Sequence, residues 1–179
     1  MTLNTDKGVW HGALMKWLTS AVYASVKTMG ARQAKVMSRA MSLVFVRMLS
    51  NQCSAVAGVK VDGTCDTARG LEKYRAIEAS AGLSQAEDVT FEPKDDGEVA
   101  VTFQACPYGP LCNETLAGLL SRGDFNKSSV PCLRMDTYSA ALAVFSGIKR
   151  PYRLIQFAPG ARCQGGLLPP RGTRQERTE

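Results

Sequence analysis

Residues 88–112 read D-V-T-F-E-P-K-D-D-G-E-V-A-V-T-F-Q-A-C-P-Y-G-P-L-C, and this stretch decides the fold. Two alternating segments, Val89 to Glu92 and Glu98 to Gln104, flank the turn pair Asp96-Gly97. That pattern predicts an antiparallel hairpin. Val99, Val101 and Phe103 fall on one face of the second strand, which carries the chain directly to Cys106. Two prolines and a glycine between Cys106 and Cys112 predict a stiff turn rather than a helix, curling both thiols toward one point.

Downstream, N-E-T-L-A-G-L-L (113–120) reads as a helix, which sets Cys112 at its N-terminus. The helix field there lowers a thiol pKa and favours ligation or reactivity. Cys132 precedes a further helix that presents Tyr138, Leu142 and Phe145 on one side and closes at Gly147. A strand over Arg153 to Phe157 then leads into the glycine-bounded turn A-P-G-A-R-C-Q-G-G, which holds Cys163. Cys106, Cys112, Cys132 and Cys163 thus each fall at an element boundary, where side chains from distant segments converge.

Upstream, the period changes from two to about 3.6. Residues 8–29 form an amphipathic pattern through Trp10, Leu14, Trp17, Leu18, Val22 and Val26, and Gly30 is a stop signal. Residues 31–50 form a second helix, with Val36, Met37, Met41, Val44, Phe45, Met48 and Leu49 on a broad stripe. Residues 67–80 predict a short helix with Leu71, Tyr74 and Ile77 inward and its charges in solvent. The class expected is α+β: N-terminal amphipathic helices packed on an antiparallel sheet, as one domain over 1–168 followed by a flexible basic tail over 169–179.

The chain has 179 residues, 45% of them hydrophobic, enough to form a core without disulfides. The first residues lack a basic segment followed by an apolar one, and no later stretch has the uncharged length of a membrane span. A cytoplasmic protein is expected, without membrane insertion. In a reducing compartment its six cysteines read as ligands or packing thiols. Cys53 and Cys65 are assigned to packing. The net charge of +6 is scattered and partly in the tail, so nucleic acid is only a minor candidate partner.

A site built from Cys106, Cys112, Cys132 and Cys163 fits either zinc or an iron–sulfur cluster, and the spacing does not choose between them. Four unconnected packing thiols and a reactive or reversibly oxidised thiol remain open alternatives. Glu114, Arg134 and Arg162 are candidate groups around the ligands, although solvated surface positions suit both arginines better. Trp17, Met41, Phe45, Tyr108 and Tyr138 are candidates for the wall of an apolar ligand pocket.

The hairpin-to-cysteine passage D-G-E-V-A-V-T-F-Q-A-C-P-Y, the segment L-C-N-E-T-L-A-G-L-L, the F-S-G helix end and the P-G-A-R-C turn together resemble the four-vinyl reductase type of small-molecule-binding domain, over roughly residues 35–168. The resemblance implies a mixed fold that binds small hydrophobic molecules, often as a dimer and in some members with a cysteine-rich zinc site. Its relatives include sensory modules of aromatic-responsive regulators and redox regulators. A more distant resemblance, in the C-P-Y opening and the late glycine–cysteine turn, is to the aminothiazoline-carboxylate hydrolases.

The reading that follows is a cysteine-ligated, metal- or cluster-containing binding or sensor protein for a small hydrophobic ligand, as a homodimer or as an accessory to a larger assembly. The alternative is a small hydrolase or thiol-dependent enzyme acting on a small heterocycle. The sequence leaves enzymatic activity undecided, since it lacks the G-x-S-x-G, H-E-x-x-H and Walker motifs and has one histidine.

Overall fold

The computed structural model describes residues 6–106, 108–112, 131–158 and 161–170, with the backbone alone at 6–16, 19, 110 and 111. The helix expected over 113–120, with Glu114, and the tail from 171 lie outside the described residues.

Among the described residues four α-helices and four strands make an α+β fold: α1 (Asp6–Cys53), α2 (Thr67–Ser80), β1 (Val89–Pro93), β2 (Val99–Phe103), α3 (Gly109–Cys112), α4 (Leu133–Phe145), β3 (Tyr152–Gln156) and β4 (Cys163–Leu167). The strands form one antiparallel sheet in the order β1-β2-β4-β3. Among the described residues no helix is long and apolar enough to cross a membrane.

α1 is interrupted at Gly30, whose φ of 80° lies in the left-handed region that glycine adopts without a Cβ penalty. The chain doubles back there. The Ser25 hydroxyl lies 3.4 Å from Met37 Sδ, a separation that a straight helix could not give across twelve residues. The segments 6–29 and 31–53 are therefore two antiparallel arms, as the stop at Gly30 predicts.

The second arm turns a different face inward from the one its apolar stripe suggests. Ala34, Ser38, Ser42, Val46 and Ser50 are buried, whereas Val36 and Val44 are about two-thirds exposed at 65% and 67%. Small side chains at four-residue steps let α4 lie close along the arm. Ser38 donates to Asp136 of α4 at 2.5 Å.

The hairpin forms as expected, with Val89 opposite Phe103, Pro93 opposite Val99 and Gly97 at φ 78° in its turn. β2 lies inside the sheet and all five of its residues are buried. It has this central place because Cys163–Leu167, expected as a turn, is a strand inserted between β2 and β3. Glycines are poor strand formers in general; here they fit because neighbours take the space a side chain would need. A Cβ at Gly165 would meet Met135 Sδ at 2.6 Å, and one at Gly166 would collide with the Glu98 carboxylate. That carboxylate is held by Arg153 at 2.9 Å. Gly166→Ala is expected to cost about 1–3 kcal/mol through overpacking, read as a lower urea midpoint with an unchanged slope.

α2 begins at Asp66, whose side chain accepts the Arg69 N–H at 2.8 Å. Its buried face holds Leu71, Tyr74 and Ile77, as expected, and also Glu78. α4 sits at the centre, packed along both arms of α1 and α2 and against the sheet. Tyr138 of α4 meets Tyr74 edge-on at 5.1 Å and lies 5.5 and 5.7 Å from Phe91 and Phe103.

Candidate functional site

The most polar part of the interior is a network between α2, α4 and β2. Arg134, 2% exposed, donates from Nη1 to Glu78 Oε1 at 2.7 Å, and the Tyr138 hydroxyl donates to Glu78 Oε2 at 2.6 Å. The guanidinium also lies over the Phe103 and Tyr138 rings at 5.5 and 5.3 Å. Burial works against its charge, but Glu78 together with Tyr138, Cys106 and Tyr74 more than offsets this and Arg134 stays a cation. Burial pushes the Glu78 carboxyl up, with Arg134 and Tyr138 drawing it back. Arg134 Nε and Nη2 are buried with no hydrogen-bond partner among the described residues. A buried cation with two unused donors is costly to maintain, and such groups concentrate at sites that bind something.

Arg134 also forms part of the wall of an enclosed cavity of about 20 Å3, together with Cys106, Cys112, Cys132 and Cys163. The boundary positions of the four cysteines bring them to one place. Burial pushes the Cys106 thiol up to about 11, with the Arg134 charge acting against the rise. Burial also raises Cys112 and Cys132, and neighbouring thiols add to the effect. The half-buried Cys163 is raised by burial as well. The expected lowering at Cys112 is therefore reversed. The residue ends the short α3 in an apolar interior, where desolvation outweighs any helix field. Burial favours the neutral form of the four thiols that line this cavity. Among the described residues no three His, Cys, Asp or Glu side chains are placed to hold one ion.

A second cavity, of about 520 Å3, opens between α1, α4 and the loop before β3. Leu43, Ala140, Ala143 and Pro151 give it apolar walls, and Arg39, Asp136, Ser139, Lys149 and Arg150 give it polar ones. Asp136 is buried beneath it. Its Oδ2 accepts from Ser38, and among the described residues its Oδ1 has no close hydrogen-bond partner, with Arg39 Nε at 3.6 Å. Burial raises this carboxyl to about 6, and the Ser38 hydroxyl and Arg39 charge only partly restrain it.

The sequence-predicted pocket residues do not meet at this cavity. Met41, Phe45 and Tyr108 line a separate void of about 10 Å3 with Leu18 and Leu133, where the Ser42 hydroxyl is buried and unpartnered. Trp17 faces outward at 64% exposure. Tyr138 is sealed in the aromatic cluster. Arg162 is exposed, as read from sequence, while Arg134 is the reverse of a solvated arginine. Glu78 and Arg150 escaped the sequence reading, and Asp136, read as a neighbour of Cys112 in a thiol-dependent enzyme, instead lies beneath the cavity between α1 and α4. The one available signal was that Glu78 falls seven residues after Leu71 and four after Tyr74, on the apolar side of α2.

No family model and no characterised protein sequence matches the chain. Among solved structures, the fold is similar to the phenol-responsive sensory domain of the transcription activator PoxR, determined with phenol. The two share 12% identity and a TM-score of 0.52, over 86% of this chain and 74% of that one. At that identity the likeness is one of fold. It corrects the resemblances to four-vinyl reductase domains and aminothiazoline-carboxylate hydrolases, and with them the metal-binding description. The P-G-A-R-C passage that carried part of the resemblance leads into an interior strand instead of a ligand-bearing turn.

Proposed function

We propose that this chain is a binding or sensory domain for a small, largely hydrophobic molecule, held in the cavity between α1 and α4. The observation that carries the reading is the cavity itself. Its volume of about 520 Å3 lies within the range of organic-ligand sites, about 300–1,000 Å3. Its walls combine apolar side chains with a few charged groups from separate elements, the arrangement that fixes a ligand's orientation while burying its body. The fold likeness to a sensory domain that responds to phenol supports the same reading.

Titration calorimetry of the full chain with phenol and with benzoate tests it. Saturable heat is expected from at least one of the two. Ala143→Trp, which fills the cavity from a partly exposed wall position, is expected to abolish that heat while leaving the circular dichroism spectrum intact. Failure of both probes to bind, or undiminished binding to the filled variant, would sink the assignment.

A further inference from the structure

We infer that the Arg134 edge of the thiol-lined cavity is a binding site for the carboxylate of a small organic acid, separate from the cavity between α1 and α4. The argument begins with which donors are unused. Nη1 is committed to Glu78, while Nε and Nη2 have no partner among the described residues. Those two nitrogens share one edge of the guanidinium and carry parallel N–H bonds. They form the side-on fork that two carboxylate oxygens meet with paired hydrogen bonds.

The surroundings suit that ligand. Phe103 and Tyr138 lie against the guanidinium at 5.5 and 5.3 Å and Glu78 anchors its far side, so the fork is fixed before anything binds. Size sets the limit on the ligand. About 20 Å3 exceeds the room one water needs and admits a small head group only. The acid's remaining atoms would lie toward the half-exposed Phe157, Cys163 and Gln164, which line the same cavity. A single buried water on Arg134 is the occupant that an experiment must distinguish from a carboxylate.

Thermal melting of the full chain in sodium formate and sodium acetate, against sodium chloride at equal ionic strength, makes the distinction. A saturable rise in melting temperature with at least one carboxylate and none with chloride is expected. Cys163→Phe fills the cavity without touching the ion pair. It is expected to weaken the carboxylate effect by at least about tenfold, the loss of a charged hydrogen bond's worth of binding. A variant with Glu78→Met, Arg134→Met and Tyr138→Phe removes the fork and its buried partners together and is expected to show no carboxylate effect. Should it not fold, Cys163→Phe alone decides. The proposal is overturned if carboxylates and chloride act alike on the wild type, since a resident water or general salt effects then suffice. It is also overturned if the cavity-filled variant responds fully, which would place the anion at the Lys149 and Arg150 rim of the other cavity.

Discussion

Replacing Glu78 with alanine is expected to cost about 3–5 kcal/mol of stability, the largest effect of any single substitution at this site. The reason is what the change leaves behind. Arg134 is 2% exposed and Glu78 is 1% exposed, so removing the carboxylate strands a buried guanidinium that has no other acid paired with it among the described residues. The Tyr138 hydroxyl loses its acceptor in the same step. Urea denaturation should show a large fall in midpoint, and a domain of ordinary marginal stability would be mostly unfolded at 37 °C. The variant with Glu78→Met, Arg134→Met and Tyr138→Phe removes every stranded group at once. It is expected to recover most of the lost stability or to exceed the wild type, since an apolar replacement avoids desolvating the charges. If Glu78→Ala melted like the wild type, the network would have to be open to solvent, and the description of the interior would be wrong.

That outcome also shows why the ion pair matters more to function than to folding. A buried pair that an apolar trio replaces without loss is not what holds α2, α4 and the sheet together. The apolar cluster of Leu71, Tyr74, Ile77, Met135, Leu142 and Phe145, each fully buried, does that. The Arg134 network is retained in the chain at a cost, and two of its donors have no partner among the described residues, the feature from which the carboxylate site is inferred.

The hairpin, the α2 helix and the break at Gly30 were legible because local chemistry dictates each of them: a D-G turn between alternating segments, an aspartate cap, a glycine at positive φ. The strand Cys163–Leu167 was not. Its glycines lower local strand propensity, and the reason they are tolerated, contact with Met135 and Glu98, arises only from the assembled sheet. The inward face of α1 was misread for a related reason. Hydrophobicity marks Val36 and Val44, but close helix packing selects the smaller Ala34, Ser38 and Ser42. Glu78 and Arg134 read as surface charges because a sequence shows each alone, and burial of a charge depends on a partner 56 residues away.

Asp136 supplies the second large effect, and it is one of pH. An aspartate with an ordinary value of 3.8 stands at about 6 in the folded chain because burial disfavours its charge. Below pH about 3.8 the carboxyl is protonated in both folded and unfolded chains and contributes nothing. Between about 3.8 and 6 the folded chain holds a proton that the unfolded chain has released, so stability falls as pH rises. Above about 6 the full cost is present, about 3 kcal/mol at roughly 1.4 kcal/mol per unit. Asp136→Asn cannot ionise and escapes this cost, while giving up the charged component of the contacts with Ser38 and Arg39. Its stability relative to the wild type is therefore expected to improve by about 3 kcal/mol between pH 4 and pH 7.5, measured by urea unfolding across that range. Parallel curves for the two proteins would show that Asp136 titrates normally. A steepening difference would show that the chain keeps, at the floor of its 520 Å3 cavity, an ionised carboxylate that its own packing disfavours. Among the described residues its Oδ1 lacks a close hydrogen-bond donor, so a ligand hydroxyl reaching the cavity floor would add a bond there.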